Sequence, residues 1–210
     1  MPPFGTHDGC TTAVIYAKEN TMNTYIALLR GVNVGGSNKL PMRDLAALLQ
    51  ELGLQSVKTY IQSGNAVFQS EQTNARELSE SITAAIHRSK GFAPYTLILT
   101  QEELAAAAAA NPFPEGEAEP KTLHLFFLDG IPQAYDPSAL ERVKAPDERY
   151  QLIGRVFYLH APAGIGRSKL AETAGKGWRV NITARNWRTV CEILALARGL
   201  SLPDSRSTDA

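Results

Sequence analysis

Val57-Lys58-Thr59-Tyr60-Ile61-Gln62-Ser63-Gly64-Asn65-Ala66-Val67-Phe68 is the stretch that decides how the chain is built. Two runs rich in β-branched and aromatic residues, Val57 to Ile61 and Ala66 to Phe68, flank Ser63-Gly64-Asn65, a trio suited to a tight turn. The stretch therefore reads as an antiparallel hairpin. On its N-terminal side, Tyr25 to Leu29 is a short apolar run closed by Gly31, which reads as a buried strand. Between the two, Pro41 opens a helix with Leu45, Leu48, Leu49 and Leu52 on one stripe, and Gly53 ends it. On the C-terminal side, Asn74 with Glu77 forms a capping box ahead of Leu78, Ile82, Ala85 and Ile86. Gly91 closes that helix, and Tyr95 to Leu99 is the next strand. The order is βαββαβ, which predicts a ferredoxin-like arrangement over residues 23–100.

A second, less regular α+β half is predicted over residues 121–199. Thr100 and Glu103 cap an alanine-rich helix ended by Asn111-Pro112, and the Pro- and Glu-rich residues up to Pro120 make residues 101–120 a connector. Leu123 to Leu128 reads as a strand, and Asp136-Pro137 starts a short helix. Tyr150 to Ile153 and Val156 to His160 form a hairpin turning at Gly154-Arg155. A short helix follows near Ser168 to Thr173. Thr183 reads as the N-cap of a last helix with Trp187, Val190, Cys191, Leu194 and Ala197 facing the core. Residues 1–22 and 200–210 read as flexible extensions, with Met22 a plausible functional start.

Composition bounds the function. The chain has 210 residues, 44% of them hydrophobic, and a net charge of zero, so it is not a polyanion binder as a whole. Charge is unevenly placed. Residues 101–119 carry five glutamates and no base, whereas residues 167–188 carry six bases against Glu172 alone. That basic segment is the basis for a nucleic-acid or protein partner, although no RNA-binding aromatic motif occurs. Two cysteines, Cys10 and Cys191, exclude a disulfide framework and fit a cytoplasmic protein. No run of roughly 20 apolar residues exists, so no membrane partner is expected.

Three cassettes of glycine, asparagine and arginine stand at element ends. In the first, Arg30, Gly31, Asn33, Gly35, Gly36 and Lys39 crowd one strand-to-helix loop, the position of phosphate-binding loops. Neither the Walker spacing nor G-x-G-x-x-G is present. In the second, Gln62, Ser63, Gly64 and Asn65 make the hairpin turn, without the G-x-S-x-G elbow of a serine nucleophile. In the third, Arg185, Asn186 and Arg188 fall in the first turns of the last helix, where free N–H groups and guanidinium groups favour an anion. His7, His87, His124 and His160 lack metal-ligand spacing, and no carboxylate pair is placed for acid–base work. The pattern assigns no catalytic residue and no cofactor. It points to binding of a small anionic or phosphate-bearing ligand, with an enzyme acting on an anionic substrate as the alternative. Oligomeric state is not encoded in any of these features.

The stretches Tyr25–Met42, Val57–Phe68 and Thr183–Val190, in this order, resemble a bacterial family catalogued as domain of unknown function 1697. The resemblance spans roughly Thr24 to Gly199 and implies a two-part α+β fold with a ferredoxin-like first part. It brings no activity or cofactor. It adds Tyr60, Ser168, Lys169 and Trp187 to the cassette residues as positions of interest, and Ala184 stands where the family often has a hydroxyl residue.

Overall fold

The computed structural model describes residues 22–201. The expected extension over 1–22 and tail over 200–210 fall almost wholly outside them, as do Cys10 and His7. The first half contains β1 (Asn23–Arg30), α1 (Met42–Glu51), β2 (Gln55–Tyr60), β3 (Asn65–Ser70), α2 (Ala75–Lys90) and β4 (Tyr95–Thr100). Its four strands form an antiparallel sheet in the order β2-β3-β1-β4. The connector holds α3 (Gln101–Ala109) and a single 3-10 turn at Pro114–Glu117. The second half contains β5 (Leu123–Leu128), α4 (Pro137–Glu141), β6 (Arg149–Ile153), β7 (Val156–His160), α5 (Lys169–Thr173), β8 (Ile182–Asn186) and α6 (Trp187–Ser201). Its sheet is also antiparallel, in the order β6-β7-β5-β8. The described residues are thus mixed α+β, with two four-stranded antiparallel sheets and six α-helices.

Local chemistry sets the boundaries. Asn74 accepts from the N–H groups of Arg76 and Glu77, and its amide reaches the Glu77 carboxylate, so the cap closes side chain to side chain. Gly91, at φ 78°, ends α2 in the left-handed conformation. Thr100 and Glu103 form the reciprocal capping box of α3.

Side-chain alternation gives each sheet two apolar faces. One face of the first sheet, with Tyr25, Ala27, Leu29 and Phe68, is covered by Leu45 and Leu49 of α1 and Ile82 and Ile86 of α2. The opposite face, with Ile26, Leu28, Val67 and Leu97, meets the second half directly. There Leu104 of α3 and Trp187, Val190 and Ile193 of α6 pack with Leu125, Phe127 and Tyr158 of the second sheet. Phe126, Leu128, Phe157 and Leu159 point away from this shared core and are covered by Leu140, Leu170 and Trp178. Each fully buried leucine or isoleucine in these clusters is worth about 2 kcal/mol of transfer free energy. The shared core therefore joins the halves strongly.

Two sequence readings are corrected here. Thr183 does not cap a helix: Ile182–Asn186 is a strand paired with β5, and the side chain of Asn186 accepts from Thr189 N–H at 2.9 Å to cap α6. Cys191 is exposed, because the buried arc of α6 is centred on Val190, Ile193, Leu194 and Ala197 and leaves Cys191 beside Glu192 at its edge.

Candidate functional site

The first cassette folds into a small rigid finger. Gly35 and Gly36, at φ 59° and 80°, make a two-residue turn with both central residues left-handed, the conformation that favours glycine. Ser37 N–H donates to Val34 O and Asn33 N–H to Asn38 O, both at 3.1 Å, so residues 33–38 form a miniature hairpin. Its root is pinned by side chains. The Asn33 amide donates to Leu40 O at 2.8 Å and Gln62 O at 2.9 Å, and its oxygen accepts from Leu40 N–H at 2.8 Å. The Asn38 amide donates to Gly31 O at 3.0 Å. The loop is thus a pinned projection. Arg30, Gly35, Gly36 and Lys39 are exposed, as are Val34 and Ile61, which stand out from the finger and from the adjacent turn.

In the second cassette Gly64 and Asn65 are buried, Ser63 is half-buried and Gln62 is exposed. Gly64 has φ 72°, and a Cβ there would sit 2.6 Å from Val32 Cγ2 and 2.7 Å from Leu29 Cβ. Only glycine fits. Asn65 is fully buried, and its amide donates to Tyr60 O at 3.1 Å and Ser63 Oγ at 2.9 Å.

The third cassette reaches into the second. Arg185 shares a face of β8 with Thr183, the face turned toward the first sheet. Its Nε donates to the Asn65 side-chain oxygen. Nη2 donates to Leu29 O at 2.8 Å, Ser63 O at 3.2 Å and Gly64 O at 3.3 Å. Nη1 donates to Thr183 Oγ1 at 3.0 Å and Ala184 O at 2.8 Å. Five N–H groups meet six acceptors, and no carboxylate pairs with the guanidinium among the described residues. Burial holds the Arg185 pKa down to about 10, which leaves it charged at neutral pH. Arg185 fastens the second sheet to the turn of the first.

The three cassettes therefore touch one another, but Arg185 and Asn65 form a saturated lock with no donor to spare. The anion-binding helix start expected for Arg185 and Asn186 is not there: Arg185 is mid-strand, and the Asn186 side chain is spent as a cap. Lys169 stands apart at the start of α5, next to Leu170 in the apolar layer on the far side of the second sheet. The basic 167–188 segment loses Arg185 to the interior, while Arg167, Lys169, Lys176, Arg179 and Arg188 are exposed.

Sequence reading missed a cleft between the halves. It has a volume of about 660 Å³ and runs between α2, the outer edge of β4 and the second half, with Arg76, Tyr95, Asp129, Arg155 and Asn181 on its walls. Asp129 is held by the backbone N–H of Asn181 at 2.9 Å and by its amide at 2.8 Å. Burial, and then the Asp129 charge opposite, pushes the Tyr95 hydroxyl well above the ordinary tyrosine range. Arg30 pairs with Tyr95 in the β1–β4 register, so the first cassette and this cleft share one end of the sheet. Asp129-Gly130 and Gly154-Arg155 read in sequence only as turns, because the partners that make them a wall are distant along the chain.

The profile of the family described as protein of unknown function (DUF1697) matches residues 22–158. The chain belongs to that family. The matched residues include the first two cassettes and end before β8, so Thr183–Val190 lies outside them. This DUF1697 chain is also similar to a solved structure, the conserved bacterial protein SP0830 from Streptococcus pneumoniae. The TM-score is 0.64 and the identity 24%, covering 85% of this chain and 99% of that one. At that identity the likeness concerns the fold. No curated protein matches this chain. Among the described residues no helix is long and apolar enough to cross a membrane, and no cluster of three metal-binding side chains occurs.

Proposed function

We propose that the protein binds a small anionic or phosphate-bearing ligand at the root of the finger, with Arg30 and Lys39 as its cationic contacts. One observation carries this reading. The Asn38 amide donates to Gly31 O and closes the loop at its base, and Arg30 and Lys39 are the residues that flank this bond along the chain. Both are exposed, and neither has an ion-pair partner among the described residues. No acid occurs between Gly31 and Arg43. A guanidinium fork beside a mobile ammonium suits a phosphate or carboxylate. Gly31, Asn33, Gly35 and Gly36 set the loop's shape, Gln62 stands next to Asn33, and Ser63, Gly64, Asn65 and Arg185 support it from behind, while Asn186 serves as the cap of α6. Lys169 is omitted from this site because α5 lies on the far layer.

The strand order β4-β1-β3-β2, with α1 and α2 on one face, supports a ferredoxin-like reading of residues 23–100, joined through 101–120 to a second part over 121–199. In that reading the ligand sits at one end of the sheet, on loops held by a rigid scaffold.

Titration calorimetry and thermal shift with pyrophosphate test the assignment. Binding raises the melting temperature by mass action and weakens with added salt. Arg30→Ala and Lys39→Ala each weaken it about tenfold. Pyrophosphate binding that persists unchanged in the double variant would refute the site.

A further inference from the structure

The cleft described above does not end at Arg155. On the other side of that residue a second cavity, of about 280 Å³, opens between α3 and the second sheet. Apart from the Arg155–Glu103 pair its walls are mostly apolar: Leu99 from β4, Phe127 and Val156 from the second sheet, and Ala106, Ala107 and Ala110 from the alanine run. The space exists because of that run. Leu104, one turn earlier, fills the shared core, whereas the following residues facing β5 and β7 are alanines. Of the three alanines Ala107 is buried and Ala106 and Ala110 are exposed, so the space opens to solvent along one flank of α3.

Arg155 lines both cavities, the apolar one and the polar cleft. It pairs with Glu103 through Nη2 alone, and its Nε and Nη1 have no protein partner among the described residues. Tyr158 cannot serve as a second polar group, since its hydroxyl donates to Ala107 O at 2.7 Å and burial pushes its pKa up to about 12. The other charges on the cleft are already engaged: Arg76 with Glu80, and Asp129 with Asn181. An apolar chamber between two halves of a chain, with one guanidinium at its mouth holding spare donors, has the make-up of a small-molecule site.

We infer that this chamber binds a small amphipathic carboxylate, with its apolar group against the alanine face of α3 and its carboxylate on the free N–H groups of Arg155. Glu103 takes one of the two Nη2 N–H groups, and the other, together with the free N–H beside it on the same edge of the guanidinium, forms the fork that accepts a planar carboxylate. A cavity of about 150 Å³ already holds benzene, so this chamber takes a bicyclic ring or a medium-length acyl group. The site is separate from the finger root, and each can fail without the other.

The test uses the whole chain and 2-naphthoate, with naphthalene-2-methanol and acetate as controls, read by titration calorimetry. Wild-type protein binds 2-naphthoate and does not bind acetate. Ala106→Phe or Ala110→Leu, both at exposed positions on the chamber wall, fills the space and removes binding of both naphthalene compounds, with circular dichroism confirming the fold. Arg155→Met weakens 2-naphthoate about tenfold and leaves naphthalene-2-methanol unchanged. Arg30→Ala with Lys39→Ala leaves 2-naphthoate binding intact. No binding of 2-naphthoate to the wild type, or equal binding in the two filled variants, overturns the site. Equal affinity in Arg155→Met overturns the carboxylate assignment.

Discussion

The finger at residues 31–40 and the turn at residues 61–65 are built from the same kinds of residue, adjoin each other, and have opposite fates. In the finger the glycines supply backbone conformation in open space: a Cβ at Gly35 or Gly36 would meet nothing within 4 Å. In the turn, Gly64 supplies both conformation and clearance, because Val32 and Leu29 press against it. The asparagines differ in the same way. Asn38 is exposed at the loop base, while Asn65 is sealed in and bound by Arg185. Glycine and asparagine at an element end signal an unusual backbone. Burial and donor saturation decide whether that backbone serves a ligand or the fold.

The contrast can be broken most forcefully at Arg185. Arg185→Ala strips donors from Asn65 and from the carbonyls of Leu29, Ser63 and Gly64, leaving buried acceptors unmet. Urea denaturation should register a loss of about 4 kcal/mol. Arg185→Lys should recover little of it, since an ammonium cannot span the same acceptors. A loss below about 1 kcal/mol would mean that the lock is not one.

Across the β5–β8 ladder, His124 offers a buried base of the opposite kind. It pairs in register with Asn186, next to Arg185, and its Nδ1 has no partner among the described residues. Burial pushes its pKa down to about 4. The unfolded chain therefore takes up this proton at higher pH than the native one. Stability is full above about pH 6.5 and falls as the pH drops toward 4, by roughly 3 kcal/mol in all. His124→Phe should flatten that slope in denaturation curves collected across the window. An unchanged slope would place the acid sensitivity elsewhere.

The smallest effects give the finest comparison. Gly64→Ala adds two close contacts to a left-handed backbone and should cost about 3 kcal/mol, against about 1 kcal/mol for Gly35→Ala, where only the backbone is strained. Thermal unfolding of the two variants side by side measures the difference. Equal losses would mean that the finger is as tightly packed as the turn.

Much of the first half was legible because its signals are local. The leucine stripe of α1, the Asn74 and Thr100 caps, and the glycine ends of helices each depend on residues within one or two turns. The hairpin was legible too, although its loop is 61–64, one residue earlier than the 62–65 left between the two expected arms, since Tyr60 faces Asn65. The β8 strand was not legible. Thr183-Ala184-Arg185-Asn186 has the composition of a helix start, and only pairing with β5, nearly sixty residues earlier, makes it a strand. The same limit hid the real position of Arg185, whose partners in the first sheet lie 120 to 156 residues away. The cleft and the apolar chamber escaped for the same reason, as each takes one wall from either side of the shared core.

The Arg185 contact also sets a timetable for synthesis. Asn65 leaves the ribosome 120 residues ahead of the arginine that will hold it, a wait of roughly 6 to 24 s at ordinary elongation rates. During that time β1 to β4 can complete their own ladder, yet the face with Ile26, Leu28 and Val67 waits for Trp187, Val190 and Ile193 of α6. The first sheet is thus finished in hydrogen bonds well before it is closed in packing. The last of the described helices is the one that seals it.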